Sequence, residues 1–590
     1  MIDPQFPFLN AMGKIFKSKL EIIKRKDTYV LVAILLIGFF LRTFDLNWDQ
    51  GFHLHPDERF LTMVGNAMTI PRNISDYINP ETSTFNPANV GYTFFVYGIF
   101  PVTFNKLIAV VLSNDSYNKF TLQGRLLSAI CDTLVIFLIF KTILLFEKKY
   151  KLDKTVKYWA SFLYAIAVLP IQLSHFFAVD TFLNFFTFAS FYFVLRFWES
   201  NKFLNVFLSA IFLGLGLASK ITALYILPLT MLVLCLSFMQ EKGEEGRKKH
   251  LKFNTFDFQI IKKFLRVIFG LATYGFLSYL ILRLSDPYYF SNSNIFGLKL
   301  NQSFQESIQM LQNFSHKDVW YPPAVQWIHK TPVIFPFINL SLFGIGASYC
   351  IFLLLGFFKT IKSFSKSIFM LMLLWTLTFF LFQSSQVVST MRYFIILYPF
   401  LAIFSGFGLS YLIRQWTKRY KVFVVVVLLL WPLMFISIYT KKHSRVQASE
   451  WLYENIQNSS VVLGEYWDDP LPLQVSSSNK VFQIEQLPVF DPDTSEKWSK
   501  INALLEKGDY LVLSSNRGWG SILTVPQKYP IMSKFYSDLF ANKLSYKKVK
   551  EFVSYPSLQY LGIPFVFPDD FAEEAFTVYD HPKVLIFEKQ

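Results

Sequence analysis

Charged residues are scarce in this sequence. They make up 17% of the 590 residues, whereas 53% are hydrophobic, and the mean hydropathy is +0.35. A soluble chain of this length would expose far more charge. The scarcity of charge therefore excludes an ordinary soluble protein and predicts a chain that lies largely within a membrane.

Cysteine is also scarce. The three cysteines, Cys131, Cys235 and Cys350, all lie inside apolar runs. The segments that we predict to be external contain none, which excludes a disulfide framework and a cysteine-based metal site there. The first apolar run, 28–46, ends without the small residues of a cleavage site, so we predict an uncleaved helix rather than a signal peptide.

Basic residues outnumber acidic ones and give a net charge of +16. They are spread between hydrophobic runs, so we interpret them as cytoplasmic loops that contact the lipid bilayer, and we expect no nucleic-acid partner. Apolar runs near the ~20 residues that cross a bilayer recur along the chain. We predict eleven spans, near 28–46, 124–146, 157–174, 179–198, 203–219, 221–238, 264–284, 335–358, 367–387, 393–413 and 421–440.

The loops predict the orientation. If the basic N-terminus, residues 1–27, is cytoplasmic, the basic loops fall on the cytoplasmic side, and the external loops 47–123 and 286–334 are poorer in Lys and Arg. We therefore predict a multi-pass protein of the inner membrane with its C-terminal tail outside. The apolar stretch 92–112 would reverse this pattern if it crossed the membrane. We interpret it as an amphipathic helix in the outer interface, and a true span is the alternative.

From residue 441 onward the apolar runs shorten to strand length. We predict strands at 461–463, 481–484, 510–513, 576–579 and 584–587, helices at 446–457, 494–506 and 530–541, and a turn at 580–582. A segment of about 150 residues can bury its own core. The predicted fold class is thus a polytopic α-helical membrane protein, with spans in 28–440 and an extracytoplasmic α/β domain in 441–590.

The densest polar stretch of the first external loop is His53-Leu54-His55-Pro56-Asp57-Glu58-Arg59. Charges near the hydrocarbon boundary are costly, so acidic residues at an external helix end are candidates for function. Proline suits the first turn of a helix, and acidic residues are stabilised at its N-terminal end. A plain helix start is therefore an equally good interpretation of this stretch taken alone.

Other charged residues are predicted on the same external side. Asp180 follows Ser174 and His175 in a very short loop and opens an apolar helix, where an ordinary N-cap is the alternative. The cations are Arg125, Lys220 and Arg392, the last followed by Tyr393. Each alone is best explained by snorkelling towards lipid phosphates. Carboxylates and cations together on one face suit a substrate that carries a phosphate.

At these residues the sequence resembles the GT-C superfamily of membrane glycosyltransferases, most of all the branch of protein O-mannosyltransferases and aminoarabinose transferases. The resemblance covers about 28–440. It is carried by His55-Pro56-Asp57-Glu58, Gly124-Arg125-Leu126-Leu127-Ser128, Ser174-His175 with Val179-Asp180, Gly214 to Lys220, and Arg392-Tyr393 followed by Tyr398-Pro399. Each motif is short, but their order and shared side are fairly specific. The tail resembles tails of uncharacterised members, which assigns it no role.

The resemblance implies an inverting enzyme that takes a sugar from a polyprenyl-phosphate lipid and passes it to a hydroxyl group of a protein, a glycolipid or a cell-envelope glycan. By resemblance Asp57 is the base, supported by Glu58, and Asp180 orients a substrate. Arg392 and Lys220 would hold the lipid phosphate, with Arg125, Arg59, His55, His175 and Tyr393 as further substrate-binding candidates. Because phosphate is a good leaving group, a base and cations suffice and no general acid is required.

A metal-free reaction is the default expectation. The alternative is a divalent metal site formed by His53, His55, Asp57 and His175, whose oxygen and nitrogen ligands suit such an ion. Within the superfamily, oligosaccharyltransferases use pyrophosphate-linked donors and a Trp-Trp-Asp motif. The stretch Tyr466-Trp467-Asp468-Asp469-Pro470 lacks the second Trp, which counts against that reading.

Two other classes of protein are weaker interpretations. A transporter or flippase of lipid-linked sugars would be expected to show internal repeats and charges near the midplane, and the sequence shows neither. A receptor that uses its membrane part only as an anchor would not need eleven spans. The sugar, the length of the polyprenyl chain, the acceptor and the oligomeric state are not determined by the sequence.

Overall fold

The computed structural model describes residues 26–147, 149–239, 256–316, 322–364, 367–475 and 479–590. The predicted cytoplasmic N-terminus, 1–27, lies outside these residues except for its last two. Helices dominate up to residue 443, and strands occur from residue 461 onward.

The helical part begins with a helix at residues 26–43. The α-helices that follow are Pro56–Ala67, Ile74–Ile78, Phe100–Val111, Tyr117–Glu147, Val156–Ala165, Val168–Ser174, Val179–Ser200, Leu204–Leu217, Leu227–Met239, Phe256–Ser285, Gln302–Phe314, Pro322–Val325, Ile334–Asn339, Ala347–Phe364, Ile368–Ser384, Tyr398–Ile413 and Lys418–Ile436. Shorter 3-10 turns include Pro87–Val90, Ile221–Ile226, Pro287–Tyr289, Met391–Leu397 and Ser437–Thr440, and Leu340–Gly344 is a π turn.

Six helices among the described residues are long and apolar enough to cross a membrane, or seven if one bent pair counts as a span. The six are Tyr117–Glu147, Ile221–Met239, Ile260–Ser285, Ala347–Phe364, Met391–Ile413 and Lys418–Asn455, and the bent pair is Val156–Ala165 with Val168–Ser174. They support an integral membrane protein, while the count of eleven spans and the sidedness stay predictions. The segment 92–112 contains only a 12-residue helix, Phe100–Val111, which is shorter than a span requires.

Small residues let the helices approach one another closely. Gly356 and Gly408 face each other where Ala347–Phe364 crosses Tyr398–Ile413, and a Cβ atom at either position would overlap the opposite backbone. Close approach at small residues is typical of helix packing in membranes, where burial of apolar surface gives no driving force between helices. The predicted span 335–358 is divided at Gly346, whose φ of +89° belongs to the left-handed region.

The C-terminal part contains a five-stranded sheet in the order β2-β1-β3-β5-β4. The strands are β1 Val461–Glu465, β2 Gln483–Leu487, β3 Tyr510–Leu513, β4 Tyr546–Phe552 and β5 Val584–Lys589. Strand β1 pairs in parallel with β2 and β3, and β5 pairs antiparallel with β3 and β4. The α-helices are Ser444–Asn455, Ser495–Lys507, Arg517–Ile522, Pro530–Phe540 and Glu574–Thr577, and Gln559–Leu561 is a 3-10 turn.

Side chains alternate across this sheet into two cores. Leu463 packs with Leu511 and Tyr536 on one face, and Val462 packs with Ile586 on the other. Burial on both faces explains why β1, β3 and β5 are short continuous apolar runs that the sequence reveals. This part of the chain contains a five-stranded sheet with helices, and its standing as a separate extracytoplasmic domain stays a prediction.

Several elements of the tail differ from the sequence prediction, and two of them have a clear physical reason. The stretch 576–579 is not a strand, because residues Glu574–Thr577 form a helical turn whose Phe576 packs into the core of the membrane helices. Strand β4 was not predicted, because its sequence Tyr-Lys-Lys-Val-Lys-Glu-Phe has exposed charged residues instead of an apolar run. Charged residues, lysine above all, are common on edge strands, where they discourage pairing with other chains.

The tail is joined to the helices by a buried polar cluster. Asp580 accepts hydrogen bonds from Gln172 (3.0 Å) and from the Tyr439 hydroxyl (2.9 Å). His581 lies between Asp580 (2.5 Å) and Asp569 (2.9 Å). Burial alone would lower the pKa of His581, but the charges and hydrogen bonds of Asp580 and Asp569 together raise it to about 10. The predicted turn at 580–582 thus fixes the sheet to the ends of the helices.

Candidate active site

A cavity of about 640 Å³ lies between the helix ends, the segment 286–334 and the tail. Its size is within the range of ligand pockets in proteins. All three parts of the chain contribute to its wall, which includes Pro56, Asp57, Arg59, Tyr97, Lys220, Leu311, Trp327, Thr390, Arg392, Tyr393, Arg445, Trp467, Asp468, Asp469, Arg517, Glu574 and Tyr579.

Asp57 is presented by the first turn of the helix Pro56–Ala67. His55 caps this helix, because its Nδ1 atom accepts the backbone N–H of Glu58 at 3.2 Å, and Pro56 occupies the first turn. The stretch 53–59 is therefore a helix start, as one of its two interpretations predicts. This does not exclude a functional role for Asp57, because the same helix start places its side chain at the cavity. The cap directs Asp57 towards the cavity and Glu58 into the protein interior.

Four charged side chains form a network, in which Asp57, Lys220 and Arg392 line the cavity and Asp180 lies buried behind them. Arg392 Nη2 donates to Asp57 Oδ2 at 2.6 Å, and Arg392 Nε lies 3.6 Å from Asp180 Oδ2. Lys220 Nζ donates to Asp180 Oδ1 at 2.8 Å and lies 5.1 Å from the centre of the Tyr393 ring. Two carboxylates and two cations from four distant parts of the sequence therefore meet, which we call the cavity network.

The backbone around Lys220 is held by a close contact. Gly98 donates its N–H to the Ser219 carbonyl at 2.9 Å, and a Cβ atom on Gly98 would overlap the backbone of Ala218. The absence of a side chain at Gly98 thus brings the neighbouring Tyr97 and the Lys220 ammonium to the same cavity.

The electrostatic balance favours ionised Asp57. Burial would raise the pKa of Asp57, but the charge and hydrogen bond of Arg392, with the charge of Lys220, hold it well below its usual range. Burial lowers the pKa of His55 to about 4, so that its imidazole is neutral at pH 7. The side chains of Asp57 and Arg392 keep 24% and 16% of their exposure, so a ligand in the cavity can reach both.

Glu58 and Arg125 lie in a second, closed cluster. Arg125 Nε donates to Glu58 Oε2 at 2.8 Å, and Arg125 Nη2 donates to Glu58 Oε1 at 2.5 Å and to Asp49 Oδ2 at 2.8 Å. Glu58 also accepts the Phe177 N–H at 2.7 Å. All three charged side chains are at most 1% exposed and none lines the cavity. The geometry favours a structural role for Glu58 and Arg125 over contact with a substrate.

The predicted histidines have other partners. His175 is buried, its ring nitrogens lie 2.8 Å and 2.9 Å from the carbonyls of Ile171 and Phe44, and its ring stacks on Tyr439. His53 Nε2 lies 2.6 Å from Asn118 Oδ1. The described residues contain no group of three or more His, Cys, Asp or Glu placed to hold a metal ion. His53, His55, Asp57 and His175 are therefore not placed together as the alternative metal site requires.

The tail contributes a second charged wall. Arg445 donates to Asp468 at 2.6 Å and to Asp469 at 2.7 Å, and Arg59 reaches Asp469 at 2.9 Å. Arg59 is the predicted site residue that links the helix of Asp57 to the tail. The acidic pair Asp468 and Asp469, left without a role by the sequence, lies at the cavity.

Several cavity residues escaped the sequence analysis. Arg517 donates to Glu574 Oε1 at 2.6 Å, and Gln326 donates to Glu574 Oε2 at 2.7 Å. Tyr97 also lines the cavity. Arg517 and Glu574 lie in unremarkable sequence surroundings, and no local motif marks them. Only Gln326 has a signal, because it follows the aromatic and proline-rich stretch near Trp320.

Glu573 is a further residue without a sequence signal. It is buried and accepts hydrogen bonds from Thr390 Oγ1 at 2.6 Å and from Met391 N at 3.0 Å. Burial raises its pKa to about 7. Because Met391 precedes Arg392 directly, the carboxyl group of Glu573 holds the backbone from which Arg392 reaches Asp57.

A comparison with solved structures found three proteins to which this chain is similar. The oligosaccharyltransferase of Archaeoglobus fulgidus, in complex with Zn and sulfate, is 14% identical, with a TM-score of 0.46 over 95% of this chain and 88% of that one. ArnT of Cupriavidus metallidurans, bound to undecaprenyl phosphate, is 11% identical, with a TM-score of 0.44 over 95% and 97%.

The third structure is the S. cerevisiae protein O-mannosyltransferase Pmt1-Pmt2 complex bound to the sugar donor, which is 14% identical, with a TM-score of 0.33 over 45% of this chain and 35% of that one. All three TM-scores lie below 0.5. Residue roles in this chain therefore rest on its own geometry.

The sequence itself has one family match. Residues 116–253 match the family described as dolichyl-phosphate-mannose-protein mannosyltransferase. A comparison with curated proteins found no match. The family match confirms the resemblance noted in the sequence, so that this chain is similar to the protein mannosyltransferase branch of the GT-C membrane glycosyltransferases.

Proposed function

We propose that the chain is an inverting glycosyltransferase that moves a sugar from a polyprenyl-phosphate lipid to a hydroxyl acceptor on the extracytoplasmic face of the inner membrane. The observation that carries the proposal is the cavity network, in which an ionised aspartate lies 2.6 Å from an arginine at the wall of a cavity. The family match over 116–253 supports glycosyl transfer. The catalytic part is 28–440, and the tail 441–590 is extracytoplasmic.

Arg392 and Lys220 are suited to the leaving phosphate. Both are partly exposed to the cavity, at 16% and 12%, and both already bind carboxylates, whose oxygens resemble those of phosphate in charge and hydrogen bonding. As the bond between the anomeric carbon and the phosphate oxygen breaks, negative charge grows on the phosphate. Cations fixed beside it stabilise that charge more in the transition state than in the bound donor.

Asp57 is suited to take the proton of the acceptor hydroxyl. Paired with Arg392 alone it is a weak base, because its pKa is held low. When the donor phosphate draws Arg392 towards itself, the carboxylate loses part of this stabilisation and its pKa rises. The acceptor oxygen then attacks the anomeric carbon from the side opposite the phosphate, its proton passes to Asp57, and polyprenyl phosphate leaves. Asp180 orients Arg392 and Lys220 from the interior.

Asp57→Asn is the variant that tests this proposal. With polyprenyl-phosphate sugars as donors, transfer by the purified protein is expected to fall by about 10²–10⁴-fold, as for loss of a general base, while donor binding is retained. Asp76→Asn, on the separate helix Ile74–Ile78, is the matched control and is expected to keep full activity. Full activity of Asp57→Asn would overturn the assignment of the base.

The same assay tests the expectation that the reaction needs no metal ion. Transfer measured after treatment with a chelator, and again after a divalent metal is restored, is expected to stay unchanged. Loss of transfer that the metal reverses would replace the metal-free mechanism with a metal-assisted one. Movement of the intact lipid-linked sugar across a vesicle membrane without transfer would favour the flippase alternative.

A further inference from the structure

An uncharged stretch of the tail forms a small apolar hairpin. Residues 552–568 contain no charged side chain, and eight consecutive residues within them, 559–566, are exposed. The exposed fractions are 52% for Leu561, 48% for Ile563 and 50% for Phe565. We call residues 557–566 the apolar hairpin. A soluble surface rarely gathers so many exposed apolar residues in one place without a partner.

The hairpin has a defined structure that presents these side chains. Ser557 and Val566 form an antiparallel bridge, and Leu558 N donates to the Phe565 carbonyl at 2.9 Å. Gly562, with a φ of +78°, makes the turn at its tip. Exposure of Leu561, Ile563 and Phe565 is therefore imposed by backbone hydrogen bonds.

The hairpin is attached to one end of a candidate membrane span. Ser557 N donates to the Met434 carbonyl at 3.1 Å, and the Tyr560 hydroxyl donates to the Leu433 carbonyl at 3.0 Å. Both carbonyls belong to the last turn of Lys418–Ile436. Earlier turns of the same helix expose Val422, Val426 and Leu430 at 53%, 52% and 41%. The exposed apolar surface of the helix therefore continues onto the hairpin.

We propose that the apolar hairpin inserts into the outer interface of the lipid bilayer beside Lys418–Ile436 and anchors the tail to the membrane surface. We infer that the exposed hairpin contacts lipid, because it continues the exposed apolar face of Lys418–Ile436, which is itself apolar enough to span a membrane. Tyr560 at its edge has the ring and hydroxyl that favour the boundary between headgroups and acyl chains. The basic loop at the opposite end of the helix, 414–421, agrees with an external position for the hairpin.

The apolar hairpin lies a few residues before Glu573, which holds the backbone next to Arg392. The chain runs from the hairpin through Phe571, which packs on Phe343 at 5.0 Å, to Glu573, whose carboxyl group holds Met391. The hairpin is therefore joined by a short segment to the backbone that presents Arg392.

Spin labels measure the position of the hairpin directly. In full-length protein with Cys131, Cys235 and Cys350 replaced by Ala, a nitroxide is placed at Ile563→Cys, or at Lys547→Cys on the exposed edge strand as the matched control. In nanodiscs of phosphatidylethanolamine and phosphatidylglycerol, oxygen collisions are expected to dominate at 563 and collisions with a water-soluble nickel chelate at 547. Dominance of the chelate at both positions would overturn the proposal.

The unmodified protein provides a second measurement. Lipids that carry a diazirine on the acyl chain are expected, on illumination, to label the peptide that contains 559–566 and to leave β4 unlabelled. Absence of label on 559–566, with label present on Lys418–Ile436, would contradict insertion even if the cysteine-free protein did not fold. A label at 563 that is shielded from both oxygen and nickel would show a protein partner instead and would also overturn the proposal. Neither measurement depends on sugar transfer.

Discussion

Asp57 and Glu58 are neighbours on one helix, and each is paired with an arginine in a different way. The ion pair of Asp57 with Arg392 keeps 24% and 16% of the side-chain exposure, and Asp57 lines a cavity. The ion pair of Glu58 with Arg125 is closed, with 0% and 1% exposure, and it includes Asp49. In a partly exposed ion pair at a cavity, one side chain can leave its partner and bind a ligand. A fully buried ion pair is out of reach of a ligand and contributes only to the stability of the fold.

Arg125→Leu is expected to be the most destabilising change. It leaves Glu58 and Asp49 buried without their cation, and removal of one partner of a buried ion pair costs about 3–5 kcal/mol. Thermal unfolding of the detergent-solubilised protein measures the loss. The triple variant Glu58→Gln, Asp49→Asn, Arg125→Leu is expected to recover much of it, because no unpaired charge remains. Unchanged unfolding of Arg125→Leu would show that the closed cluster is not structural.

Arg392→Leu is the matched change at the cavity. Because Asp57 remains partly exposed, the folded state is expected to be nearly as stable as that of the wild type. Binding of the polyprenyl-phosphate donor is expected to weaken by about 10–100-fold, which corresponds to loss of a hydrogen bond to a charged group. Equilibrium binding of labelled donor tests this. Donor affinity equal to that of the wild type would remove Arg392 from the phosphate site.

Glu465 is a buried carboxyl group that forms no ion pair with the described residues. One of its oxygens accepts the Tyr536 hydroxyl, the other has no hydrogen bond among the described residues, and burial raises its pKa to about 8 from 4.5. The folded state therefore keeps a proton that the unfolded state loses, so this group makes stability fall as pH rises from about 4.5 to about 8.

Glu465→Gln is expected to remove that contribution. The difference in unfolding free energy between wild type and variant should change by up to about 1.4 kcal/mol per pH unit between these limits, and not above them. Denaturant unfolding at several pH values measures it. A constant difference across this range would show that Glu465 is ionised in the folded state.

Arg59→Gln is expected to have the smallest effect on stability. Arg59 is 38% exposed, its partner Asp469 also has Arg445, and exposed ion pairs contribute about 0.2–1 kcal/mol. Arg445→Gln is the matched change at a buried arginine. The Arg445 side chain is 2% exposed and binds both Asp468 and Asp469, so its loss is expected to lower the free energy of unfolding more. Thermal unfolding compares them. Equal losses would show that exposure does not separate the two pairs.

Some of the charged residues singled out from the sequence meet in the structure, but their partners could not be predicted; the roles of these residues at a site stay predictions. Asp57, Asp180, Lys220 and Arg392 were identified as charges at external helix ends, and they meet in the structure. Glu58 and Arg125 were identified by the same argument and form a separate closed pair. A charge pattern shows that a residue lies near the boundary of the membrane, but not which way its side chain points, since that depends on the cap at His55 and on the turn that follows.

The same limit applies to the tail. Strands β1, β3 and β5 were predicted because buried strands are apolar runs, whereas the edge strand β4 was missed and 576–579 was predicted as a strand although it is helical. The apolar residues at 576–579 pack against the membrane helices rather than into the sheet. A local apolar pattern predicts that a segment is buried, but it does not show whether the segment packs against the sheet or against the helices.

The sequence by itself predicted a membrane protein, its apolar helices, the resemblance to a glycosyltransferase family, and an acidic residue in the first turn of the helix Pro56–Ala67. These depend on composition and on short stretches, because hydrophobic length and helix capping are local properties. Only the tertiary structure decided that Arg392 binds Asp57, that Arg125 binds Glu58, and that the tail closes the cavity with Arg445, Arg517 and Glu574. Such pairs join residues far apart in sequence, and their energies depend on burial and distance, which exist only once the chain has folded.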